Sequence, residues 1–268
     1  TCALPIWGRE RRIEDKKEGG RAFLALRHTT SPEELLARCV ACFRAARFLC
    51  GMAVASSGGS SSDAGGGSCR GLWMQPVTTG SEEAVPGPRA AHSANLIHNK
   101  LHVIGGWNGK KGLNDLRVLD VDTMEWSVPE VSGTPPTARN NHATFVVGSR
   151  LYIHGGHDGS TWLADLHMLD TDKMVWSIPS ISGVAPSARA CHTCTLLGRK
   201  VYMFGGYDGT KCFNDLDVLD IDTMTWIQPH VSGVLPQARN AQTMTMVGNK
   251  LVLFGGHSGN KHLRDVHE

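Results

Sequence analysis

A fifty-residue repeat constrains this chain more than any other feature of its sequence. Paired glycines, an arginine, an aspartate and a tryptophan each recur at that interval and keep a fixed phase with one another. The repeated residues are Gly105, Gly106, Gly155, Gly156, Gly205, Gly206, Gly255 and Gly256; Arg89, Arg139, Arg189 and Arg239; Asp115, Asp165, Asp215 and Asp265; and Trp126, Trp176 and Trp226. A period of this size indicates one supersecondary unit that packs against copies of itself.

Each repeat predicts four short strands, and the second repeat illustrates the pattern. Residues 140–147 predict a first strand and residues 151–154 a second, joined by a turn at Gly148, where glycine tolerates a positive φ. Residues 165–169 predict a third strand, and Trp176 opens a fourth. The first two strands are apolar on both faces, which is typical of strands covered by neighbouring sheets.

A proline in the fourth strand of each complete repeat predicts the radial order of the strands. These residues are Pro129, Pro179 and Pro229. Proline has no N–H to donate to a central ladder, so within sheets it is confined to edges. We therefore expect each sheet to run from a covered first strand at the centre to a fourth strand at the outer edge.

The motifs resemble kelch repeats. The resemblance is carried by the glycine pair, the aspartate after it, the spacing from Asp122 to Trp126 and the run from Pro136 to His142. The Pro-x-x-Arg-x-x-His run is similar to that of host-cell-factor-like and Rab-effector-like kelch proteins. The resemblance covers residues 72–268 and implies an all-β, kelch-type β-propeller that binds other proteins.

The propeller of residues 72–268 is expected to be incomplete, with about four blades of four antiparallel strands visible. The fourth repeat begins near residue 239 and stops at Glu268, within its third strand. Kelch rings usually hold six or seven blades, so we expect a truncation at the C-terminal side, with a closed four-bladed ring as the alternative. The segment Trp73–Pro76 resembles a fourth strand, which in kelch propellers usually joins the last blade.

Two segments precede the propeller. Residues 52–71 are rich in glycine and serine, which predicts a flexible linker. Residues 1–51 are interpreted as translated leader or adapter-derived sequence, since the chain opens on Thr1 and Met52 begins a small-residue N-terminus. A natural N-terminal extension is the alternative. Within this segment, residues 32–50 follow a helix-start signal and predict one helix.

A residue present once in every blade is expected to serve the blade rather than catalysis. By this reasoning the tryptophans pack between sheets, while the arginines and aspartates tie blades together through buried polar pairs. Cys191, His192 and Cys194 have the spacing of metal ligands, but no second ligand pair accompanies them. Copper oxidases with kelch propellers use Tyr and His ligands, whereas Tyr152 and Tyr202 occupy equivalent repeat positions here. We expect no metal, no cofactor and no enzymatic activity.

The composition bears on the partner and the compartment. A formal net charge of +2 is too small to favour nucleic acid or an anionic membrane. No apolar run approaches the roughly 18 residues that a membrane span requires. Cys191, Cys194 and Cys212 are the cysteines within the repeats, and their repeat equivalents are not cysteine. This placement argues against a disulfide framework and favours the cytoplasm, or alternatively the nucleus.

The loops after the glycine pairs are where the repeat varies, and we expect them on one rim of the ring. Aromatic and cationic side chains on a rigid rim are typical of protein-binding surfaces. The candidate partner-binding residues are Trp107, Lys110, Lys111, His157, Trp162, Tyr207, Lys211, His257 and Lys261. The first residue of each loop has an alternative role, packing against its own blade. Lys110, Lys111, Trp162 and Lys211 are expected to be exposed.

Two functions follow from these observations. The first is a scaffold or adaptor for protein–protein interaction, whose partner the sequence does not identify. The alternative is the non-catalytic propeller part of a larger enzyme, such as a phosphatase or copper-oxidase fusion. A further domain beyond Glu268 would discriminate between the two.

Overall fold

A computed structural model describes residues 72–268, and this part of the chain folds into strands and loops. The helix predicted at 32–50 and the linker predicted at 52–71 lie outside the described residues. Within residues 72–268 there is no helix with the length and apolarity to cross a bilayer. The strands form four separate sheets arranged as propeller blades, which confirms the predicted fold class.

The blades follow the fifty-residue repeat. Their strands are β1 (Ser93–Ile97), β2 (Lys100–Trp107), β3 (Gly112–Asp120), β4 (Glu125–Ser127), β5 (Ser132–Gly133), β6 (Ala143–Val147), β7 (Arg150–His157), β8 (Trp162–Asp170), β9 (Val175–Ser177), β10 (Ser182–Gly183), β11 (Thr193–Leu197), β12 (Lys200–Phe204), β13 (Leu216–Asp220), β14 (Thr225–Ile227), β15 (Thr243–Val247), β16 (Lys250–Phe254) and β17 (Val266–His267). Blade 1 is β1–β4, blade 2 is β6–β9, blade 3 is β11–β14, and blade 4 is β15–β17.

The first strands of the blades lie at the centre, as predicted. β6 packs against both β1 and β11, and β11 packs against β15. From this inner strand each blade runs outward through antiparallel hairpins in sequence order. The second strand is buried on both faces in blade 2, where every residue of β7 after Arg150 is buried.

The prediction that the fourth strand forms the outer edge is wrong for blades 2 and 3. There the link from the preceding blade adds a two-residue fifth strand, and β5 pairs in parallel with β9 as β10 does with β14. The link has to pass this edge to reach the next blade, so its backbone pairs with the fourth strand on the way. Pro129, Pro179 and Pro229 lie two residues beyond the ends of β4, β9 and β14 rather than within them.

The strand bounds of the second repeat also differ from the prediction. The first strand begins later, at Ala143, because Asn141 holds a left-handed φ of 53° that ends regular pairing before it. The second and third strands are longer, since β7 continues through the glycine pair and β8 begins at Trp162. In blade 1, Thr79 pairs in parallel with Glu125, whereas residues 72–78, including the predicted strand at Trp73–Pro76, form no strand.

The glycine pairs are required by close approach of two backbones. A Cβ on Gly155 would lie 2.7 Å from the carbonyl oxygen of Arg189 in the link to the next blade. A Cβ on Gly156 would lie 2.7 Å from the carbonyl oxygen of Asn140 in the link before its own blade. Both glycines also hold a positive φ, at 61° and 97°. Any side chain here would push the two links away from the sheet.

Apolar side chains fill the space between adjacent blades. Trp176 of blade 2 packs with Ile104, Leu116 and Val118 of blade 1 in one buried cluster. Trp226 of blade 3 packs with blade 2 in a second cluster, which contains Tyr152 and Leu166. The repeated tryptophans of blades 2 and 3 thus cover the face of the sheet before each of them.

An arginine straddles each junction between blades. The Arg189 carbonyl accepts from the Gly156 N–H at 2.9 Å and its own N–H donates to Leu163 at 3.0 Å, which fixes its backbone to blade 2. Its guanidinium donates to both carboxylate oxygens of Asp215 at 2.7 and 2.8 Å, and to the Gly205 carbonyl at 3.1 Å, which fixes its side chain to blade 3. Arg139 and Arg239 make the same set of bonds at the neighbouring junctions.

We expect Arg189→Met to lower the free energy of unfolding by about 3 kcal/mol, because the aspartate would lose its charge partner and the Gly205 carbonyl its donor. The matched control is Arg199→Met, which removes an ion pair to Asp222 whose two side chains are both 59% exposed. That change should cost roughly 1 kcal/mol or less. Urea denaturation measures both variants, and equal losses would contradict the role assigned to Arg189.

Two buried histidines meet between blades 2 and 3. Nδ1 of His154 lies 3.0 Å from Nε2 of His192, so one ring donates and the other accepts. Burial, and then the neighbouring Arg189 guanidinium, lowers the pKa of His154 to about 4. Burial is the main reason that the pKa of His192 lies well below its ordinary value. Repulsion from a protonated His154 and from the Arg189 guanidinium lowers this pKa further. The folded junction therefore resists protonation of either ring.

Stability should fall as the pH is lowered from 7.5 to 5.5. In this window the unfolded chain takes up protons on histidines that the folded chain keeps neutral, so protons favour unfolding. Each fully resistant histidine contributes about 1.4 kcal/mol over these two pH units. His192→Gln, which copies Gln242 of blade 4, should remove about that much of the pH dependence. Denaturation at several pH values tests this, with His230→Gln at an exposed position as the control; equal slopes for the two variants would overturn it.

Candidate protein-binding rim

Four loops joining the second and third strands form one rim of the propeller. They are loop 1 (residues 107–112), loop 2 (157–162), loop 3 (207–212) and loop 4 (257–262). Each loop is tightened by the side chain of its second residue. In loop 2 the Asp158 carboxylate accepts from the N–H groups of Ser160 and Thr161 at 2.7 and 2.8 Å. Partial burial acts to raise the pKa of Asp158, but these donors prevail and hold that pKa below its ordinary value.

The rim loops are also attached to the links that carry the arginines. The Asn140 and His157 backbones exchange two hydrogen bonds, at 3.0 and 2.9 Å, and Asn240 and His257 do the same in blade 4. Arg139 donates its N–H to Leu113, immediately after loop 1. The rim is thus an ordered surface that the blade junctions hold in place.

The lysines predicted to face a partner are exposed. They are Lys110, Lys111, Lys211 and Lys261. Lys211 has its ammonium 5.3 Å from the centre of the Phe213 ring, which orients the side chain across its own loop. These positions suit contact with a partner, and nothing in the fold of residues 72–268 covers them.

The first residue of each loop lies deeper than a contact residue would. Trp107, Tyr207 and His257 are half-buried. His157 is 8% exposed, and its Nδ1 accepts the N–H of Gly159 at 3.1 Å. The prediction that His157 faces a partner is therefore corrected, because its ring closes its own loop instead.

Trp162 was expected to be exposed, but it is half-buried between two loops. Its ring lies edge-on to His157, with centroids 4.6 Å apart, and edge-on to Tyr207 of the next loop at 6.2 Å. It also covers Gly209, where an added Cβ would clash with the indole. Trp162 thus ties loop 2 to loop 3.

The sixth residue of each loop, called position six and occupied by Trp162 in loop 2, makes contacts on the rim that sequence reasoning did not single out in the other loops. In loop 3 it is Cys212, whose thiol lies 3.8 Å from the His257 carbonyl and accepts from Asn240 at 3.1 Å. In loop 4 it is His262, whose ring lies 4.9 Å from that of His257. In loop 1 it is Gly112. A signal was present in the sequence, since this position varies in size from glycine to tryptophan within a regular repeat.

The charge of the rim is positive and unevenly distributed. Loop 1 carries Lys110 and Lys111 and no acidic residue, because Asn108 stands where loops 2 and 3 have aspartate. The aspartates of those loops, Asp158 and Asp208, accept hydrogen bonds from their own loop backbones. The carboxylates are thus engaged within their loops, whereas the lysines are exposed.

The described residues, 72–268, give little support for a metal site or a reactive thiol. No group of three potential metal ligands gathers in this part of the chain. Cys191 precedes β11 and holds a φ of 57°, so it lies outside the extended strand that contains Cys194. Burial raises the pKa of the Cys194 thiol to about 12, which disfavours the thiolate that a metal would need. Tyr152 is buried and stacked on Phe145 at 4.7 Å, as a core residue is.

A cavity of about 820 Å³ lies between blades 3 and 4, away from the rim. Its lining includes Tyr202 and Leu216, the repeat equivalents of two residues that pack with Trp226 one junction earlier. Blade 4 has three strands, so this cavity is the space that a fourth-strand tryptophan occupies in blade 3. We assign it to blade packing rather than to a ligand.

Comparison with known proteins gives one family over most of the chain. The family described as the KLHDC2/KLHL20/DRC7 Kelch-repeats domain matches residues 68–206 and 198–268. Kelch domain-containing protein 2 of Bos taurus is 41% identical over 69 residues, which are 26% of this chain and 16% of that protein. Host cell factor 2 of Homo sapiens is 42% identical over 74 residues, covering 25% and 9% respectively. Rab9 effector protein with kelch motifs of Mus musculus is 40% identical over 72 residues, covering 25% and 18%.

We expect Trp162→Ala to loosen loop 3 as well as loop 2, because the indole is the contact between them. Amide hydrogen exchange should accelerate in residues 157–162 and 207–212 together. Trp107→Ala is the control, since its ring has no aromatic partner within the described residues, and it should leave loops 2 and 3 unchanged. Acceleration confined to loop 2 would show that Trp162 does not couple the loops.

Proposed function

This chain belongs to the kelch-repeat family, and we propose that its propeller is a protein-interaction scaffold or adaptor that presents the rim loops to a partner. The observation that carries the proposal is the rim itself. Exposed lysines stand on loops whose backbones are fixed to the blade junctions, with aromatic rings half-exposed beside them. Rigid aromatic residues surrounded by a polar and charged rim are typical of surfaces that bind proteins.

A protein is the partner that the family favours. Kelch-repeat propellers generally serve protein interaction and are generally non-enzymatic, and one matched relative is named an effector of Rab9. The matched stretch is less than a fifth of each relative described above, so the partner of this chain is proposed from its own surface. We place this activity in the cytoplasm or the nucleus, since isolated cysteines within the repeats suit a reducing compartment.

Affinity purification with a triple rim variant tests the proposal. Lys110→Glu, Lys111→Glu and Lys211→Glu together reverse the charge of the rim without touching the blade junctions. Proteins captured by the wild-type chain should be recovered roughly fivefold less with this variant, because rim charges steer and orient association. Quantitative mass spectrometry of the captured proteins gives the measurement.

The control is Lys173→Glu, at the opposite end of β8 from the rim. Lys173 is 76% exposed and belongs to the turn before β9, so its reversal changes the net charge but leaves the rim intact. Capture should be close to that of wild type. If the rim variant and the control capture the same proteins equally well, the rim is not the binding surface.

A further inference from the structure

We call the contact between two neighbouring rim loops a joint. One joint lacks the side chain that fills the others. In loops 2 and 3 the residue at position six covers a glycine in the next loop. Trp162 lies against Gly209, and the Cys212 sulfur lies 3.9 Å from the Cβ position of Gly259. Position six of loop 1 is Gly112, and nothing lies within 4 Å of the Cβ position of Gly159. The joint between loops 1 and 2 is therefore open.

The walls of this joint are those of an aromatic site. Trp162 pairs across the strands with His157 and makes ring contacts with His157 on one side and Tyr207 on the other. Gly112 pairs in the same way with Trp107, and the equivalent of Tyr207 is His157. We call the space bounded by Trp107, Gly112, His157 and Gly159 the slot. An aromatic ring placed there would occupy the position, relative to its blade, that the Trp162 indole occupies one blade later.

The charge beside the slot indicates which residues would flank an aromatic ring that binds there. Lys110 and Lys111 directly precede Gly112, and both are exposed. Neither belongs to an ion pair with any residue of the described propeller, and the Asn108 side chain accepts the N–H of each. Two cations at the mouth of a small aromatic site complement acidic residues.

We infer that the slot takes an aromatic side chain from a partner protein, on an extended peptide whose neighbouring acidic residues pair with Lys110 and Lys111. This inference rests on the proposed function and names the chemistry of its partner. The guest ring would contact Trp107 and Gly159, replacing the side chain that Gly112 lacks. The acidic residues would give the complex its charge complementarity and its dependence on salt.

The chain offers a variant that closes the slot from within. Gly112 does not hold a positive φ, so its backbone suits any residue. The nearest atoms to its Cβ position are 3.5 Å away, which leaves room for a side chain. Gly112→Trp copies Trp162 at the equivalent position and should fold as the wild type does. Gly112→Ala is the matched control, because a methyl group leaves most of the slot open.

The probe is a fluorescein-labelled nonapeptide with one central tryptophan, two acidic residues on each side and serine ends, titrated by fluorescence anisotropy. Wild type should bind this peptide about tenfold more tightly than the same peptide with alanine for tryptophan. Gly112→Trp should weaken binding about tenfold, while Gly112→Ala should stay within about twofold. Lys110→Gln with Lys111→Gln should weaken binding and flatten its salt dependence. Absence of binding to wild type, or equal binding to wild type and Gly112→Trp, would overturn the inference.

The affinity purification described above separates this inference from the proposed function. If Gly112→Trp and the triple rim variant both lose the captured proteins, the slot inference and the proposed function are both supported. If the triple variant loses them and Gly112→Trp retains them, the rim binds partners elsewhere and the slot inference fails. If both variants retain them, the slot inference and the proposed function fail together.

Discussion

The propeller depends on the arginine that joins each blade to the next. Its backbone is hydrogen-bonded to one blade, while its guanidinium is buried and bidentate to an aspartate of the following blade. A bidentate arginine–carboxylate pair is among the strongest and most directional polar contacts in proteins. Because the charge is buried, any displacement of one blade from its neighbour leaves that charge uncompensated. This one residue per junction thus makes the strongest polar contact that fixes the relative orientation of adjacent blades.

The rest of the repeat follows from this contact. In blades 1 to 3, the carbonyl of the first glycine accepts from the arginine of its own repeat, and its missing Cβ leaves room for the arginine carbonyl of the next repeat. The tryptophan then covers the apolar space that the two blades enclose. A second line of bonds runs along the inner strands, where Asn141 donates to Ala91, Cys191 to Asn141, and Ala241 to Cys191 through their backbones. Loop position six is outside this network, which is why it changes from one blade to the next.

Much of the fold is legible in the sequence because the junction chemistry repeats. The period, the radial position of the first strand and the packing role of the tryptophan all depend on residues present in every blade. The parallel fifth strand was missed because two residues, Ser132 and Gly133, carry no hydrophobic pattern of their own. The burial of His157 and the position of Trp162 depend on which side chains the adjacent loop provides, and no period within the sequence encodes that. The His154–His192 contact was missed for the same reason, since Ile104 and Phe204 occupy the places equivalent to His154.

Native-state hydrogen exchange at three glycine amides tests the arginine junction most directly. The N–H groups of Gly106, Gly156 and Gly206 donate to the carbonyls of Arg139, Arg189 and Arg239 at 2.8 to 2.9 Å, and so hold each arginine backbone to the blade before its junction. If the arginines hold the blades together, these amides should exchange as slowly as those of the buried second strands, through global opening alone. Exchange at the rate of the exposed turns would show that blades separate independently, and would contradict the account.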